Sequence, residues 1–404
     1  HVSGADSIEN AIALRQHDRL FDAIDMLKRL KAQDPTNVRV NLELAVSHLK
    51  TRQFDEAEND VADIYAVAPQ MKNNKRLQKL CDMLDRSVQQ AEKAKHQFTG
   101  EVTTYRGFDE ITSEFPYFEI TEYEDYYHVE RKSDKIKSKF HYAAARLKGE
   151  YRYTPTEQFN LFGQPTKVFW RNRFTYFHKK THGDNGIRFG FTSLDSSVFV
   201  LQKKKWALNA RLKGKWHTYE GERTLNEQSL NINGSVLFYG ARIKLGLRHK
   251  KDHLNMTFAD ELFGQDNFIY DQKTSITTPY ARLSYRFSNR LMWSIGTRKR
   301  NIKADNPLIE GSVTNYNTVL RYKASEAFDL HLKYTQNDLS YDVVDVDNGL
   351  NSGEMKKVLT FGGGYTINQH WQIGINALYL DKKYYDDFGQ DKWRRIEGFV
   401  RYKF

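Results

Sequence analysis

Two different spacings of apolar residues divide the chain near residue 97. Before that point, apolar residues recur every three or four positions, as in Phe21, Ile24, Leu27 and Leu30. Such spacing places them along one face of an α-helix. After that point they recur at every second position, which is typical of amphipathic β-strands. The pattern predicts an α + β multidomain chain with a helical domain followed by a β domain.

An internal repeat of 34 residues underlies the helical part, since Ala23 and Ala57 are 34 positions apart, and so are Pro35 and Pro69. Each proline ends a helix, because it disfavours the helical conformation of the residue before it. A 34-residue period in helix–turn–helix units resembles the tetratricopeptide repeat, or TPR. We expect two TPR-like repeats and a further helix near 74–96 that caps them.

Two departures from the TPR pattern, Asn41 and His48 at its usual Trp and Tyr positions, keep a generic helical bundle open as an alternative. A TPR-like stack presents a concave groove that binds peptide or protein segments. The predicted groove positions are Ile8, Ile12, Arg15, Gln16, Arg39, Leu42, Val46 and Lys50. The alternative for these positions is packing against the β domain or against the helix that follows Asn74.

The last segment shows the alternation of the β domain most clearly. One face carries Ile396, Gly398, Val400, Tyr402 and Phe404, and the other carries Arg395, Glu397, Phe399, Arg401 and Lys403. Short connections at 239–240, 288–289, 324–327 and 368–370 alternate with longer polar stretches at 258–273, 302–310, 341–353 and 385–391. Short turns at one end and longer loops at the other are typical of outer-membrane β-barrels.

These two signals predict a closed antiparallel transmembrane barrel of about fourteen strands. The predicted boundaries are 1–96 for the helical domain, 97–115 for a linker and 116–404 for the barrel, with the first strand near Pro116. An even number of strands places both ends of the barrel on one side of the membrane. We therefore expect the helical domain in the periplasm of a Gram-negative cell.

Composition agrees with a membrane barrel. The chain has 25 Phe, 24 Tyr and 6 Trp, together 14% of its residues, and they are concentrated after residue 97. Barrels place such aromatic residues in girdles at both membrane interfaces. Nowhere does the sequence contain a run of eighteen apolar residues, which excludes a helical membrane span.

The alternating C-terminal residues Val400, Tyr402 and Phe404 match the signal by which assembly machinery recognises outer-membrane barrels. The expected partners of the β domain are therefore this machinery and the lipids of the outer membrane. We expect the barrel to be a monomer.

The formal net charge is +11, which suggests an anionic partner. Alternation places much of that charge inside the predicted lumen, so we do not expect nucleic acid to bind. The predicted inward-facing basic residues are Arg211, Lys213, Lys215, Arg242, Lys244, Arg248, Arg282, Arg286, Arg321, Lys323, Lys333, Arg395 and Arg401. A cationic lining favours anionic cargo. The alternative is a plugged interior in which these cations pair with Glu397 and other lumen acids.

The sequence contains no recognisable catalytic constellation, so we expect no enzymatic activity, cofactor or metal. His249 and His253 have the spacing of a helical metal site, but their segment is predicted to be a strand that runs into a loop. The single Cys81 excludes an intrachain disulfide.

A short TPR-like domain joined to a barrel of about fourteen strands resembles the Slam family, the surface lipoprotein assembly modulators of type XI secretion. The resemblance covers the whole chain and rests on architecture, on the repeat with Ala23, Pro35, Ala57 and Pro69, and on the terminal strand ending at Phe404. It implies an outer-membrane translocon that moves or displays a particular lipoprotein or secreted host-interaction protein. The TPR-like domain would engage the cargo in the periplasm. One branch of the family comprises host-association factors.

Two other functions stay open. Polysaccharide exporters also join periplasmic TPRs to a barrel, and a cationic lumen suits an acidic polymer, although they usually have more repeats. A host-association receptor or adhesin would act through the surface loops alone.

Overall fold

The structure is a computed structural model that describes residues 6–123, 126–161, 164–182, 187–202, 205–258, 268–342, 353–385 and 389–404, with the side chains of 115–131, 256–270 and Leu308 outside the description. The helices are α1 Ile8–Gln16, α2 Leu20–Gln33, α3 Val38–Thr51, α4 Phe54–Val67 and α5 Lys75–Lys95, with a short 3-10 helix at Pro69–Asn73. The strands are β1 His96–Tyr123, β2 Tyr126–Tyr153, β3 Phe159–Leu161, β4 Gln164–His182, β5 Arg188–Gln202, β6 Trp206–Tyr219, β7 Glu222–Phe238, β8 Ala241–Phe258, β9 Phe268–Arg286, β10 Leu291–Ala304, β11 Gly311–Lys323, β12 Phe328–Tyr341, β13 Gly353–Thr366, β14 Trp371–Tyr384 and β15 Gln390–Lys403.

The chain forms two compact units. The helical unit comprises 1–98 together with 151–171 and 198–208, and the barrel unit comprises 99–150, 172–197 and 209–404. No helix within the described ranges is both long enough and apolar enough to cross a bilayer.

Two successive helical hairpins, α1–α2 and α3–α4, build the core of the helical unit. Residues 34 positions apart occupy equivalent buried places in the two hairpins: Ala11 and Ala45 are each 1% exposed, and Ala23 and Ala57 are 0% and 1% exposed. Alanine at these positions allows the helices to approach closely, because a larger side chain would not fit into a close-packed interior. The repeat read from the sequence therefore corresponds to a repeat of packing.

The helix expected near 74–96 is α5. Asn74 caps it, because the side-chain oxygen of Asn74 accepts hydrogen bonds from the backbone N–H groups of Arg76 and Leu77. Leu77 and Leu80 then join the buried cluster that contains Ala45, Val61 and Ile64. Helix α5 therefore covers apolar side chains of the α3–α4 hairpin that would otherwise be exposed.

A buried polar network connects α2, α3 and α4. The Nδ1 atom of His48 lies 2.7 Å from Oδ2 of Asp60, and Nζ of Lys31 lies 2.9 Å from Oδ1 of the same carboxylate. Lys31 also contacts Asp63 at 2.7 Å. Burial lowers the pKa of Lys31, but the hydrogen bonds to Asp63 and Asp60 outweigh it and raise that pKa above its ordinary value. Lys31 therefore stays charged at neutral pH and holds three helices together.

We expect the substitution Asp60→Ala to reduce the opening free energy of α3 and α4 by about 2–4 kcal/mol, because it leaves His48 and Lys31 without their shared acceptor. Hydrogen–deuterium exchange of the full-length protein measures this opening. Asp63→Ala is the matched control, since Asp63 contacts the same lysine from a side chain that is 51% exposed, and its loss should cost less than about 1 kcal/mol. Equal effects of the two substitutions would contradict a role for burial.

The β-strands close into a barrel of fourteen antiparallel strands. Consecutive strands from β4 to β15 pair as neighbours, β15 pairs with β1, β1 with β2, and β2 with β4, while the short β3 lies outside the ring beside β4. The predicted fold class and strand number are therefore confirmed. Closure removes the open edges of the sheet, which is the condition for crossing a bilayer with strands.

The first strand begins at His96, so the linker expected at 97–115 and the start expected near Pro116 are wrong. Residues 101–114 of β1 pair with residues 390–403 of β15. The sequence pattern did not reveal this strand, because the outward face of the segment mixes Val102 and Phe108 with Thr104 and Arg106. Mixed outward residues remove the apolar alternation on which the strand prediction depends.

The short connections at 239–240, 287–290, 324–327 and 367–370 meet at one end of the barrel, which we call the short-turn end. Tyr239 and Gly240 both have positive φ, 45° and 79°, the backbone that a two-residue hairpin requires. At the opposite, long-loop end, Pro307–Ile309 forms a 3-10 turn in one connection, whereas β6 and β7 are joined by the tight turn Glu220–Gly221. The loop segments 259–267, 343–352 and 386–388 lie outside the described residues.

Side chains alternate between an apolar outer face and a polar lumen. On β15, Ile396 and Val400 are 57% and 43% exposed on the outside. On β14, Ile373 and Ile375 are 42% and 53% exposed. Aromatic residues mark the edge of this surface at the short-turn end, where the ring centroids of Trp371 and Tyr402 lie 4.8 Å apart. We call this outer surface the apolar band.

Phe404 closes the seam between β1 and β15. Its backbone N–H donates to the carbonyl oxygen of Gly100 at 3.0 Å, and the N–H of Gly100 donates to the carbonyl of Phe404 at 2.9 Å. The phenyl ring occupies the space beside Gly100, so that a Cβ atom added there would lie 2.3 Å from the ring. Glycine at position 100 is therefore what lets the terminal ring cover the seam.

We expect Gly100→Leu to displace the ring of Phe404, which is 62% exposed, and to destabilise the folded barrel by about 1 kcal/mol or less, because the atoms in the way belong to the end of a movable side chain. The readout is the temperature at which the compact, heat-resistant species disappears in gel electrophoresis with SDS. Gly149→Leu serves as the control, because a Cβ at Gly149 meets no atom within 4 Å. If both variants lose the compact species at the same temperature, the contact between Phe404 and Gly100 does not contribute to the stability of the barrel.

Candidate functional site

The lumen of the barrel unit contains two adjoining cavities of about 850 Å³ and 540 Å³. The larger one reaches the β9–β10 turn at the short-turn end, where Ser288 and Leu291 line it. Arg282, Arg298 and Asn317 line both cavities, so the two are neighbours in one lumen. The lumen is the candidate functional site, because it combines enclosed space with a concentration of charged side chains.

One wall of the lumen is neutralised by ion pairs, and Asp109 of β1 is the centre of one group of them. Arg395 donates to both carboxylate oxygens of Asp109, at 2.7 Å from Nε and 3.1 Å from Nη2. Lys179 donates at 2.8 Å, and the indole N–H of Trp393 donates at 3.1 Å. Asp109 is 3% exposed, so four donors surround one buried carboxylate. Two-point recognition by Arg fixes the geometry as well as the charge.

Further carboxylates neutralise other cations of the same wall. Glu101 lies 2.7 Å from Lys148, 3.3 Å from Arg146 and 4.0 Å from Arg401. Glu397 accepts hydrogen bonds from the hydroxyl of Tyr142 at 2.5 Å and the amide of Asn376 at 3.0 Å. Two more pairs join Arg173 to Glu150 and Arg211 to Asp195. This part of the lumen is a structural ion-pair network, which we call the paired wall.

A second region of the lumen, on β6 and on β8 to β12, carries cations without carboxylate partners, and we call it the unpaired wall. Within the described ranges, no ion pair involves Lys213, Lys215, Arg242, Lys244, Arg248, Arg282, Arg286, Arg298, Arg300, Arg321, Lys323 or Lys333. Some of these cations contact neutral groups instead: Arg248 donates to the hydroxyl of Ser229 at 3.4 Å, and the ammonium of Lys215 lies 4.1 Å from the ring centre of Phe191. Like charges on neighbouring strands repel one another, so this wall attracts anions into the cavities.

Acids described on this wall are engaged by other groups: Asp329, which lines the larger cavity, accepts a hydrogen bond from the side-chain amide of Gln372 at 3.2 Å. Glu227 lies 3.1 Å from Nε2 of His217 and 3.9 Å from Nζ of Lys250. Asp252 pairs with the same lysine. Neither carboxylate is therefore available to the arginines that line the cavities.

Asparagine side chains stiffen the wall without adding charge. Asn315, which is fully buried, donates to Oδ1 of Asn337 at 2.6 Å, and Asn317 donates to Asn315 at 3.4 Å. On β6 and β7, Asn233 donates to Asn209 at 3.2 Å. Amide contacts between strands hold the surface in place while leaving the arginine charges uncompensated.

The lumen residues predicted from the sequence divide between the two walls. Arg211, Arg395 and Arg401 belong to the paired wall, in line with the alternative in which lumen cations pair with lumen acids. The other predicted cations lie on the unpaired wall. Those that line the cavities are Lys244, Arg248, Arg282, Arg286, Arg321, Lys323 and Lys333. Sequence reasoning missed Arg298 and Arg300, because Lys299 between them obscures the alternation.

The predicted groove positions of the helical unit are largely occupied by neighbouring residues. Ile8 packs on the buried cluster of α1–α3, and Leu42 and Val46 pack on the cluster that contains Leu77 and Leu80 of α5. This arrangement matches the alternative of packing against the helix after Asn74.

The polar groove positions behave differently. Arg15 pairs with Glu43, and Arg39 lies 3.0 Å from Glu9, so both arginines connect α1 with α3. Gln16 and Lys50 are exposed, and Ile12 is half-buried. A free surface for a partner is therefore limited to the polar rim of the hairpins.

The C-terminal residues lie on the outer face as their alternation predicted. Val400, Tyr402 and Phe404 are 43%, 36% and 62% exposed. His249 and His253 contact Thr277 and Asp271 on the neighbouring strand. Where residues are described, no three His, Cys, Asp or Glu side chains are grouped to hold a metal ion.

No protein-family model matches the sequence, and no curated protein matches it either. Among solved structures, the chain is similar to the outer-membrane protein OmpT of Vibrio cholerae, with 10% identity and a TM-score of 0.44 over 76% of this chain and 97% of that one. It is also similar to a FadL homologue of Pseudomonas aeruginosa, with 10% identity and a TM-score of 0.33 over 76% and 90% of the two chains.

The two walls predict opposite effects of removing an arginine. Arg395→Gln should lower the free energy of unfolding by about 2–4 kcal/mol, because Asp109 stays buried and loses its two-point partner. Arg298→Gln removes a cation whose Nε is buried without a hydrogen-bond partner, so the change should be below about 1 kcal/mol or stabilising. Denaturant unfolding followed by tryptophan fluorescence measures both. A comparable loss in the two variants would show that Arg298 has a carboxylate partner after all.

Proposed function

We propose that the protein is an outer-membrane translocon of a Gram-negative bacterium, which moves a specific lipoprotein or secreted host-interaction protein to the cell surface. The helical unit lies in the periplasm and engages the cargo or its partner there. The lumen then receives acidic segments of the cargo along the unpaired wall.

The outer face of the barrel supports a place in the outer membrane. A closed ring of strands with an apolar band and an aromatic edge is suited to a bilayer, since closure pairs the edge strands with each other instead of exposing them to lipid. The helix α5 ends at Lys95 and β1 begins at His96, so the chain enters the barrel at the short-turn end. Short turns face the periplasm in barrels of this kind, which favours a periplasmic helical unit.

The observation that carries the proposal is the unpaired wall itself. Uncompensated arginines beside open cavities are costly to maintain for stability alone, because charges without partners disfavour a confined site. Their presence beside a neutralised wall indicates selection for an anionic occupant. Carboxylates of a polypeptide segment meet this requirement, and Arg binds carboxylates at two points.

Deletion of the gene is expected to remove one or a few specific proteins from the cell surface, as measured by surface proteomics. Complementation with Arg282→Gln/Arg298→Gln/Lys333→Gln should restore barrel levels but leave surface cargo reduced by about tenfold, because three cations that attract acidic segments are gone. The control is Lys180→Gln/Lys251→Gln/Lys299→Gln, which removes equal charge from exposed outward positions on three strands. Full surface cargo in the lumen variant would contradict a role of the unpaired wall in transport.

A second candidate function is export of an anionic polymer, which the same cations and cavities favour. Conductance across planar bilayers distinguishes it, since a pore for acidic polymer conducts small anions in preference to cations and is blocked by that polymer. A receptor that acts through its loops would depend on neither lumen charge nor conductance.

A further inference from the structure

The outer surface of β1, β2 and β15 carries a dense group of basic side chains near the long-loop end. We call it the basic patch, and it consists of Lys135, Lys137, Lys139, Lys392 and Arg394, with the acids Glu110 and Glu114 among them. No part of the proposed transport through the lumen uses these residues, because they face away from it.

Strand register establishes the outward direction. On β1 the lumen side carries Glu101 and Asp109, which are odd-numbered, so Glu110 faces out. Arg394 lies directly opposite Glu110 in the β1–β15 pairing, and Lys392 lies opposite Thr112. The side chains of Lys137, Lys139 and Arg394 are 53%, 59% and 68% exposed.

Glu110 organises the centre of the patch. Its carboxylate lies 3.2 Å from Nζ of Lys137, 3.9 Å from Nζ of Lys139 and 3.9 Å from Nη1 of Arg394. Three cations around one carboxylate leave a net positive charge. Each ammonium has three donors and the guanidinium has five, so most donors remain free for a further anion.

The apolar band lies directly beside the patch. Ile396 follows Arg394 on the outer face of β15, and it is paired across the sheet with Phe108 of β1 and Ala377 of β14. The ring of Phe108 lies 5.2 Å from that of His141, which continues this surface onto β2. A ligand at the patch can therefore place an anionic group among the cations and apolar chains against the band.

We propose that the basic patch binds the phosphate group of a phosphorylated lipid whose acyl chains lie on the apolar band. The inference rests on the membrane placement proposed above, and it is independent of what the lumen transports. Phosphate suits the patch because Lys and Arg donate charge-assisted hydrogen bonds to it, and Arg can do so at two points. Basic residues beside an apolar membrane surface attract anionic headgroups in the same way.

Native mass spectrometry of the full-length protein in a zwitterionic detergent tests the proposal with three probes: lipid A that carries two phosphates, its dephosphorylated form, and inorganic phosphate. The wild type should retain phosphorylated lipid A and not the dephosphorylated form. Lys137→Gln/Lys139→Gln/Arg394→Gln should weaken this binding by about tenfold. The control Lys180→Gln/Lys251→Gln/Lys299→Gln, with the same change in charge on the same outer surface, should bind as the wild type does.

Three results would overturn the proposal: equal retention by the patch variant and the control, equal binding of dephosphorylated lipid A, or full displacement by millimolar inorganic phosphate. The last result would assign the site to free phosphate. Retention of the compact, heat-resistant species on gels establishes that each variant is folded. Insertion into liposomes and surface cargo are scored separately. If the wild type inserts and transports normally but does not retain phosphorylated lipid A, this inference is rejected and the proposed function stands.

Discussion

Closure of the hydrogen-bonded ring is the constraint on which the other features of the barrel depend. Once β1 pairs with β15 and β2 pairs with β4, each strand presents one set of side chains outward and the other inward. Because the side chains of a strand point only to its two faces, a polar side chain that must avoid lipid is placed in the lumen. Closure also depends on single residues. Because Gly100 has no side chain, the ring of Phe404 can lie over the seam between β1 and β15.

The same constraint explains the uneven distribution of charge in the lumen. Cations on β2, β4 and β15 meet the carboxylates of Asp109 and Glu101, which lie on β1 between them. Cations on β8 to β11 form no ion pair with these acids in the described part of the chain, and Lys250 pairs instead with Asp252 and lies near Glu227. Charge that cannot be neutralised by neighbouring strands remains available to an anion in the cavity.

The helical unit follows a different principle, in which small residues at a fixed spacing determine how helices approach. Ala23 and Ala57 permit close packing within the two hairpins, and His48, Asp60 and Lys31 supply a buried polar connection between them. His48 is buried and pairs with Asp60, so a polar contact rather than an apolar one connects α3 with α4 at this point.

Much of the fold could be predicted from the sequence, because period and turn composition are local properties. The helices, the alternation of strands, the short turns such as Tyr239–Gly240 and the approximate strand number all follow from neighbours in the chain. The start of β1 at His96 could not be predicted, since its outward residues are mixed and its strand character comes from pairing with β15, almost 300 residues away. Likewise, the sequence alone indicated that Arg395 and Arg282 face the lumen. Only closure of the barrel decided that Arg395 meets Asp109 while Arg282 meets open space, because ion pairing depends on which strands become neighbours.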